Sequence, residues 1–167
     1  DLPGFLNNVD NSYHIVTLAD AGPGTVLDGF IITHGSARAA SGADTQGGAI
    51  VITNSEPVIA NCRFFDNFAH LGGAIMVVSG IPNLSRCTFQ QNWVQNGRGG
   101  ALYAAGNTTV TIDDCVFEDN RAEGNAGAND GGALYIDLNT TATVTRCAFV
   151  NNSAQSANRF IAATGGA

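Results

Sequence analysis

The stretch GGAIMVVSGIPNLSRCTFQQN, residues 72–92, opens with Gly-Gly-Ala and an aliphatic residue and closes with Cys-x-Phe-x-x-Asn. The same frame returns as GGAI…CRFFDN (47–67), GGAL…CVFEDN (99–120) and GGAL…CAFVNN (131–152), and a further GGA stands at 165–167. Successive GGA starts lie 25, 27, 32 and 34 residues apart, yet the step from GGA to Cys is held at 15 or 16 and that from Cys to Asn at 5. The variation therefore falls between the Asn and the next GGA. A fixed frame with insertions at one place marks a solenoid whose loops emerge along one edge.

Inside each copy the apolar residues alternate. Ile50 and Ile52 follow the first GGA, and Ile75/Val77, Leu102/Ala104 and Leu134/Ile136 take those places later. Ile59, Leu84, Ile112 and Val144 stand three residues before each Cys, and each Cys has a Phe two residues on. Period-2 spacing in short runs is the mark of strands with one face inward. Three such runs per copy, broken by Gly, Asn, Asp and Ser, predict three short strands per coil. The fold expected is all-β: a single-stranded parallel β-helix, right-handed, of about five to six coils. At about 4.8 Å per coil that is a rod of roughly 25–30 Å.

Stacking predicts three interior or corner ladders. Phe64, Phe89, Phe117 and Phe149 form one, and Cys62, Cys87, Cys115 and Cys147 a second, as unbridged buried thiols. Asn67, Asn92, Asn120 and Asn152 form the third, at a corner where Asn tolerates left-handed backbone and bonds along the stack. The paired glycines suit a corner too tight for a side chain. In residues 25–35, TVLDGFIITHG reads as a degenerate copy, with Gly29 in the Cys place, Ile31 in the Phe place and His34 in the Asn place. Residues 1–167 read as one β-helix domain, with 1–35 as entry coils and 47–167 as the repeats. Loops are expected at 36–46, 68–71, 93–98, 121–130 and 153–164.

The net charge is −7, with seven arginines and no lysine. That balance argues against nucleic-acid binding. No apolar run reaches the roughly 20 residues of a spanning helix, so membrane insertion is not expected. The start at Asp1 and the unfinished GGA at 165–167 point to flanking coils of a longer chain, or to self-association of open solenoid ends.

The GGA-(Ile/Leu) frame followed by Phe-x-x-Asn resembles the repeat of the chlamydial polymorphic outer membrane proteins, and similar repeats of large secreted or surface-anchored bacterial β-helix proteins. The opening DNSYHIVTL…TVLDGFIITHG resembles the coil that precedes such repeats. The likeness covers about 10–167. It implies an extracellular or cell-surface setting and an adhesive role toward a host-surface protein or glycan. In that family the repeat is carried by an outer-membrane barrel, which these residues do not contain, and no catalytic residue transfers.

Individual residues give weaker signals. Glu118, Asp119, Glu123 and Asp130 are the acids a calcium ion would draw on, although a solvated turn is the reading their positions favour; no other cofactor is expected. Trp93, and Phe68 one coil earlier, are the candidates for stacking on a sugar ring, against burial as a satellite cluster under the loops. Asn83, Asn107, Asn139 and Asn151 lie in N-x-Ser/Thr sequons. No Asp-Asp pair with a Gly-His-Gly and no Arg-x-Lys is present, so an enzyme is not expected. The function read from the sequence is an extracellular structural or adhesive solenoid, able to stack into a fibre. The alternative is a carbohydrate-binding or polysaccharide-degrading β-helix.

Overall fold

The computed structural model describes residues 12–38, 42–124 and 129–156. Expectations that fall on residues 1–11, 39–41, 125–128 and 157–167, the last GGA among them, lie outside the described residues. The first coil holds β1 (Val16–Ala19), β2 (Val26–Asp28) and β3 (Ile31–Thr33). After a 3-10 turn at Ala43–Thr45, the second holds β4 (Ile50–Ser55), β5 (Val58–Ala60), β6 (Arg63–Phe65) and β7 (Phe68–Leu71). The third holds β8 (Ile75–Gly80), β9 (Asn83–Ser85), β10 (Thr88–Gln90) and β11 (Trp93–Arg98). The fourth holds β12 (Leu102–Asp113), β13 (Val116–Glu118) and β14 (Arg121–Gly124). The fifth holds β15 (Leu134–Ile136), β16 (Thr141–Thr145), β17 (Ala148–Val150) and β18 (Ser153–Ser156).

Every pairing between these strands is parallel and joins equivalent residues of successive coils. The strands make three sheets, one of nine strands, one of five in the order β17-β13-β10-β6-β3, and one of four in the order β18-β14-β11-β7. The first sheet takes the strand after each GGA and the strand before each Cys, which run together in β12. The second takes the Cys-x-Phe strands. The third is built from residues read as loops. Residues 68–71, 93–98, 121–124 and 153–156 are strands, because once Asn67, Asn92, Asn120 and Asn152 have turned the corner, the chain can pair with its neighbours again. Small buried residues Ala69, Val94, Ala122 and Ala154 line its inner face.

The interior follows the repeat. Phe64, Phe89 and Phe117 are fully buried, and the four phenylalanine rings stack 4.8, 4.6 and 4.9 Å apart with interplanar angles of 8° or less. Such aromatic contacts add about 0.5–1.5 kcal/mol each beyond the area they bury. Cys62, Cys87 and Cys115 are buried and Cys147 is half-buried, all as free thiols. Their sulfurs point at backbone carbonyls of their own and the preceding coil, as Cys87 does toward Ser85 and Ile59. Burial pushes the Cys147 thiol up, and the Cys87 thiol is raised by its bond to Cys115 and by burial.

The asparagine ladder saturates its corner. Asn92 Oδ1 accepts from the Asn67 N–H at 3.1 Å and from Asn67 Nδ2 at 3.0 Å. Asn92 Nδ2 donates forward to Asn120 Oδ1 and back to the Phe64 carbonyl, both at 3.0 Å. Asn120 repeats this with Asn152 and Phe89. None of these four has a positive φ. The left-handed residue is the one before, Asp66, Gln91, Asp119 or Asn151, with φ between 52° and 55°. A second left-handed column precedes the Cys ladder, at Asn61, Arg86, Asp114 and Arg146. Gly47, Gly72, Gly99 and Gly131, each the first Gly of a GGA, are left-handed too, and the second Gly packs on the stack: a Cβ at Gly73 would lie 2.1 Å from the Gly100 carbonyl.

These columns correct the reading of the first coil by one residue. Ile32, not Ile31, pairs with Phe64. Gly29 (φ 76°) stands at the left-handed position before the Cys place, and His34 (φ 66°) at the one before the Asn place. The Asn place itself belongs to Gly35, whose N–H donates to Asn67 Oδ1 at 3.0 Å. Aligning Gly29 with Cys hid this, and a slip of one residue in a strand exchanges its faces. Ile32 is 5% exposed and Ile31 71%.

Two outcomes check this account. Ile32→Ala is expected to cost about 3 kcal/mol in urea unfolding, while Ile31→Ala stays within about 0.5 kcal/mol. Asn92→Ala removes four side-chain hydrogen bonds from a buried corner, and is expected to cost on the order of 3 kcal/mol; a change below about 0.5 kcal/mol would contradict the ladder's role.

Candidate functional site

Because inward positions are constant, chemistry has to be sought in the outward columns. The corner between the second and third sheets carries one of them. Asp66, Gln91 and Asp119, held left-handed in register, share a cavity of about 350 Å³ with Arg121. One flank is the second sheet, where Arg63 Nη2 donates to Gln90 Oε1 at 2.6 Å and Gln90 Nε2 to Glu118 Oε2 at 3.3 Å. The other flank is the outward column of the third sheet, in which Trp93 pairs with Phe68 above and Arg121 below.

That third-sheet column is a stack of aromatic rings and guanidinium groups. The Phe68 and Trp93 ring centroids are 4.4 Å apart. The Arg38 guanidinium sits 4.0 Å from the Phe68 centroid and 5.6 Å from that of Trp93, and the Arg121 guanidinium lies 5.0 Å from Trp93. Each cation–π contact of this kind is worth about 0.5–2 kcal/mol, more as water is excluded. Phe68 is 2% exposed, so the expectation that it offers a ring to a sugar does not hold: Arg38 and Trp93 cover it. Trp93 is half-buried and belongs to β11 rather than to a loop, with Phe68 on one side and Arg121 on the other.

The acids expected around calcium are not gathered. Glu118 takes the bond from Gln90, Glu123 Oε1 lies 3.6 Å from Arg121 Nε, and Asp130 Oδ2 lies 3.4 Å from Arg98 Nε. Asp119 faces the cavity that Arg121 shares. Among the described residues, no group of three or more His, Cys, Asp or Glu side chains is placed to hold a metal ion. Calcium asks for six to eight oxygens in one shell, whereas Glu123 and Asp130 are each turned toward an arginine.

Within the corner cavity Asp66 is set apart. Burial pushes its carboxyl above the ordinary carboxylate value, against the pull of His34 and Arg121. Gln91 and Asp119 make no side-chain hydrogen bond to another described residue, although both flanks are tied up by their own contacts. The sequence held only a weak signal for this row: Asp66 and Asp119 each precede a repeat Asn, but Gln91 and Asn151 take the same place and break the pattern.

A second outward site lies on the first sheet. Tyr103 and Tyr135 stack 5.3 Å apart, the Arg98 guanidinium sits 5.0 Å from the Tyr135 centroid, and the Tyr103 hydroxyl donates to Asp137 Oδ2 at 2.5 Å. Burial and that bond push the Tyr103 phenol up to about 12. Met76 and Tyr103 point away from the core yet are only 4% and 6% exposed. A 280 Å³ cavity is lined by Tyr103 with Leu71, Asn96, Gly97 and Arg98 from the third-sheet strands and their bend. Arg98 and Tyr103 are committed to partners within the chain, which makes this a packing site. Of the sequons, Asn83, Asn107, Asn139 and Asn151 are all exposed.

A family model described as a right-handed β-helix region matches residues 7–166. No curated protein and no solved structure matches the chain.

The raised Asp66 carboxyl gives a pH signature with a definite sign. The folded state holds this proton more tightly than the unfolded chain does, so stability falls as pH rises through the window above the ordinary carboxyl value of 3.8 and recovers on acidification. Asp66→Asn keeps a residue that accepts left-handed backbone and removes the charge. The variant is expected to be more stable than the parent at neutral pH by a margin that shrinks as the pH drops toward 3.8. Urea midpoints measured across pH check it, and a margin independent of pH would refute it.

Proposed function

The chain belongs to the right-handed β-helix family, and we propose that it acts as a non-enzymatic extracellular or cell-surface module, a rigid rod presenting adhesive side chains along its length. The observation that carries this reading is the division between inside and outside. At the inward register positions the same residue returns in coil after coil, as Phe64, Phe89, Phe117 and Phe149 do. At the outward positions beside them the residue changes each time: Phe68, Trp93, Arg121 and Ser153 in one column, Asp66, Gln91 and Asp119 in another. A constant scaffold with a varied face is arranged for contact rather than for packing. The repeat's resemblance to the polymorphic outer membrane proteins supports the surface setting.

The rival reading is a polysaccharide-cleaving β-helix. Acid–base cleavage needs carboxylates free to exchange protons with substrate. Here Asp113 is held by Arg146 and Thr145, Asp130 by Arg98, and Glu123 by Arg121, which favours the module, and Asp66 and Asp119 at the corner cavity are the carboxylates a cleaving reading would have to use. In-register parallel pairing is also the geometry by which a second copy or flanking coils would extend the rod.

Three measurements test the proposal. Antibody against the chain is expected to label intact cells of the producing organism. Incubation with neutral and acidic polysaccharides is expected to release neither reducing ends nor unsaturated products. Negative-stain microscopy at rising concentration is expected to show filaments with an axial repeat of roughly 25–30 Å. Labelling only after lysis would overturn the surface setting, product release the non-enzymatic reading, and small uniform particles at every concentration the self-stacking.

A further inference from the structure

The corner cavity lined by Asp66, Gln91, Asp119 and Arg121 has hydrogen-bonding capacity left over among the described residues. The Arg63–Gln90–Glu118 chain on one flank and the Arg38–Phe68 contact on the other use up their groups, while Arg121 turns only its Nε toward Glu123. Gln91 and Asp119 use none of theirs on described residues, and they face a space of about 350 Å³, within the range that small ligands occupy. We infer that this corner is a binding subsite for an uncharged glycan chain lying along the solenoid axis.

The chemistry of the lining selects the ligand. A sugar hydroxyl donates one hydrogen bond and accepts others. The lining supplies acceptors at Asp66 and Asp119, donors at Arg121, and both at Gln91. Two carboxylates against one guanidinium leave the cavity negative, which opposes uronic acids, sulfated sugars and phosphates. The row also repeats. Asp66 and Asp119 stand two coils apart, about 9–10 Å at the parallel-strand spacing, with Gln91 midway. A polymer of sugar rings along the axis would meet a polar contact at each coil. A peptide partner adding a strand would instead need an open edge, whereas β6, β10 and β13 are each paired on both sides. The left-handed backbone (φ 52° to 55°) fixes where these three side chains leave the chain, so the row is set before any ligand arrives.

The inference rests on the surface-module reading in that it assigns the module's ligand class. The test uses the protein in solution, so it fails or succeeds independently of cell labelling and microscopy. Neutral gluco-, manno-, galacto- and xylo-oligosaccharides of two to six rings are titrated by calorimetry and by fluorescence of Trp93, the single tryptophan, which contacts Arg121. Uronate oligomers of equal length run beside them. At least one neutral series is expected to bind, with affinity rising with chain length. Asp119→Gly and Gln91→Gly remove the side chains without straining a left-handed position, and each is expected to weaken binding about tenfold or more. Asp114→Gly, at the equivalent left-handed position of the other corner, is expected to leave it unchanged, and urea midpoints confirm that all three variants fold. Binding of no neutral oligosaccharide, preference for the uronates, or neutral binding that survives both corner substitutions would each overturn the assignment.

Discussion

The asparagine ladder is the interaction on which the rest of this solenoid depends. A buried corner must satisfy its backbone groups without help from water, and an unsatisfied one costs about 1–3 kcal/mol. Each of Asn92 and Asn120 settles that debt for three coils at once, accepting from the coil before, donating to the coil after, and bonding the carbonyl of the preceding Phe. The arrangement closes only if every coil sits in register with its neighbours. The Phe stack and the thiol column are in register as a result, since each lies a fixed number of residues before its Asn.

Register in turn decides what the surface can be. With inward positions committed, the chain can vary only at outward ones, and the left-handed residue before each Asn is the most strongly constrained of these. Its backbone is sterically unusual for a residue with a side chain, yet the residues there are Asp, Gln and Asn as well as His34 in the first coil. Polar side chains at those points line one groove along the rod. Beside it, Phe68 and Trp93 have been drawn out of solvent by Arg38 and Arg121. The third sheet thus has an outward layer as well ordered as the interior, and the cavity lies between that layer and the hydrogen-bonded flank of the second sheet.

Much of the interior was legible from the repeat that residues 72–92 exemplify. Alternation gave the inward faces, and the constant five-residue step from Cys to Asn gave the ladders. The first coil was misread because no Cys or Asn marks its register, so the one available glycine was matched to the wrong column. The third sheet was missed for a different reason: its strands follow the corner with Phe-Ala-His-Leu, Trp-Val-Gln-Asn or Arg-Ala-Glu-Gly, runs with too little apolar alternation to announce a strand.

What the sequence by itself determined is the parallel coil and the residues of its core, because repeat spacing and period-2 patterning are local and survive without knowledge of neighbours. What only the tertiary structure decided is the outward chemistry. Gln91 stands between Asp66 and Asp119, so no single residue type marks the row, and Arg121 comes from the next strand of the fourth coil. They lie together because stacking sets residues 25 to 28 apart in sequence one coil apart in space, and a groove made that way has no signature until the coils are laid on one another.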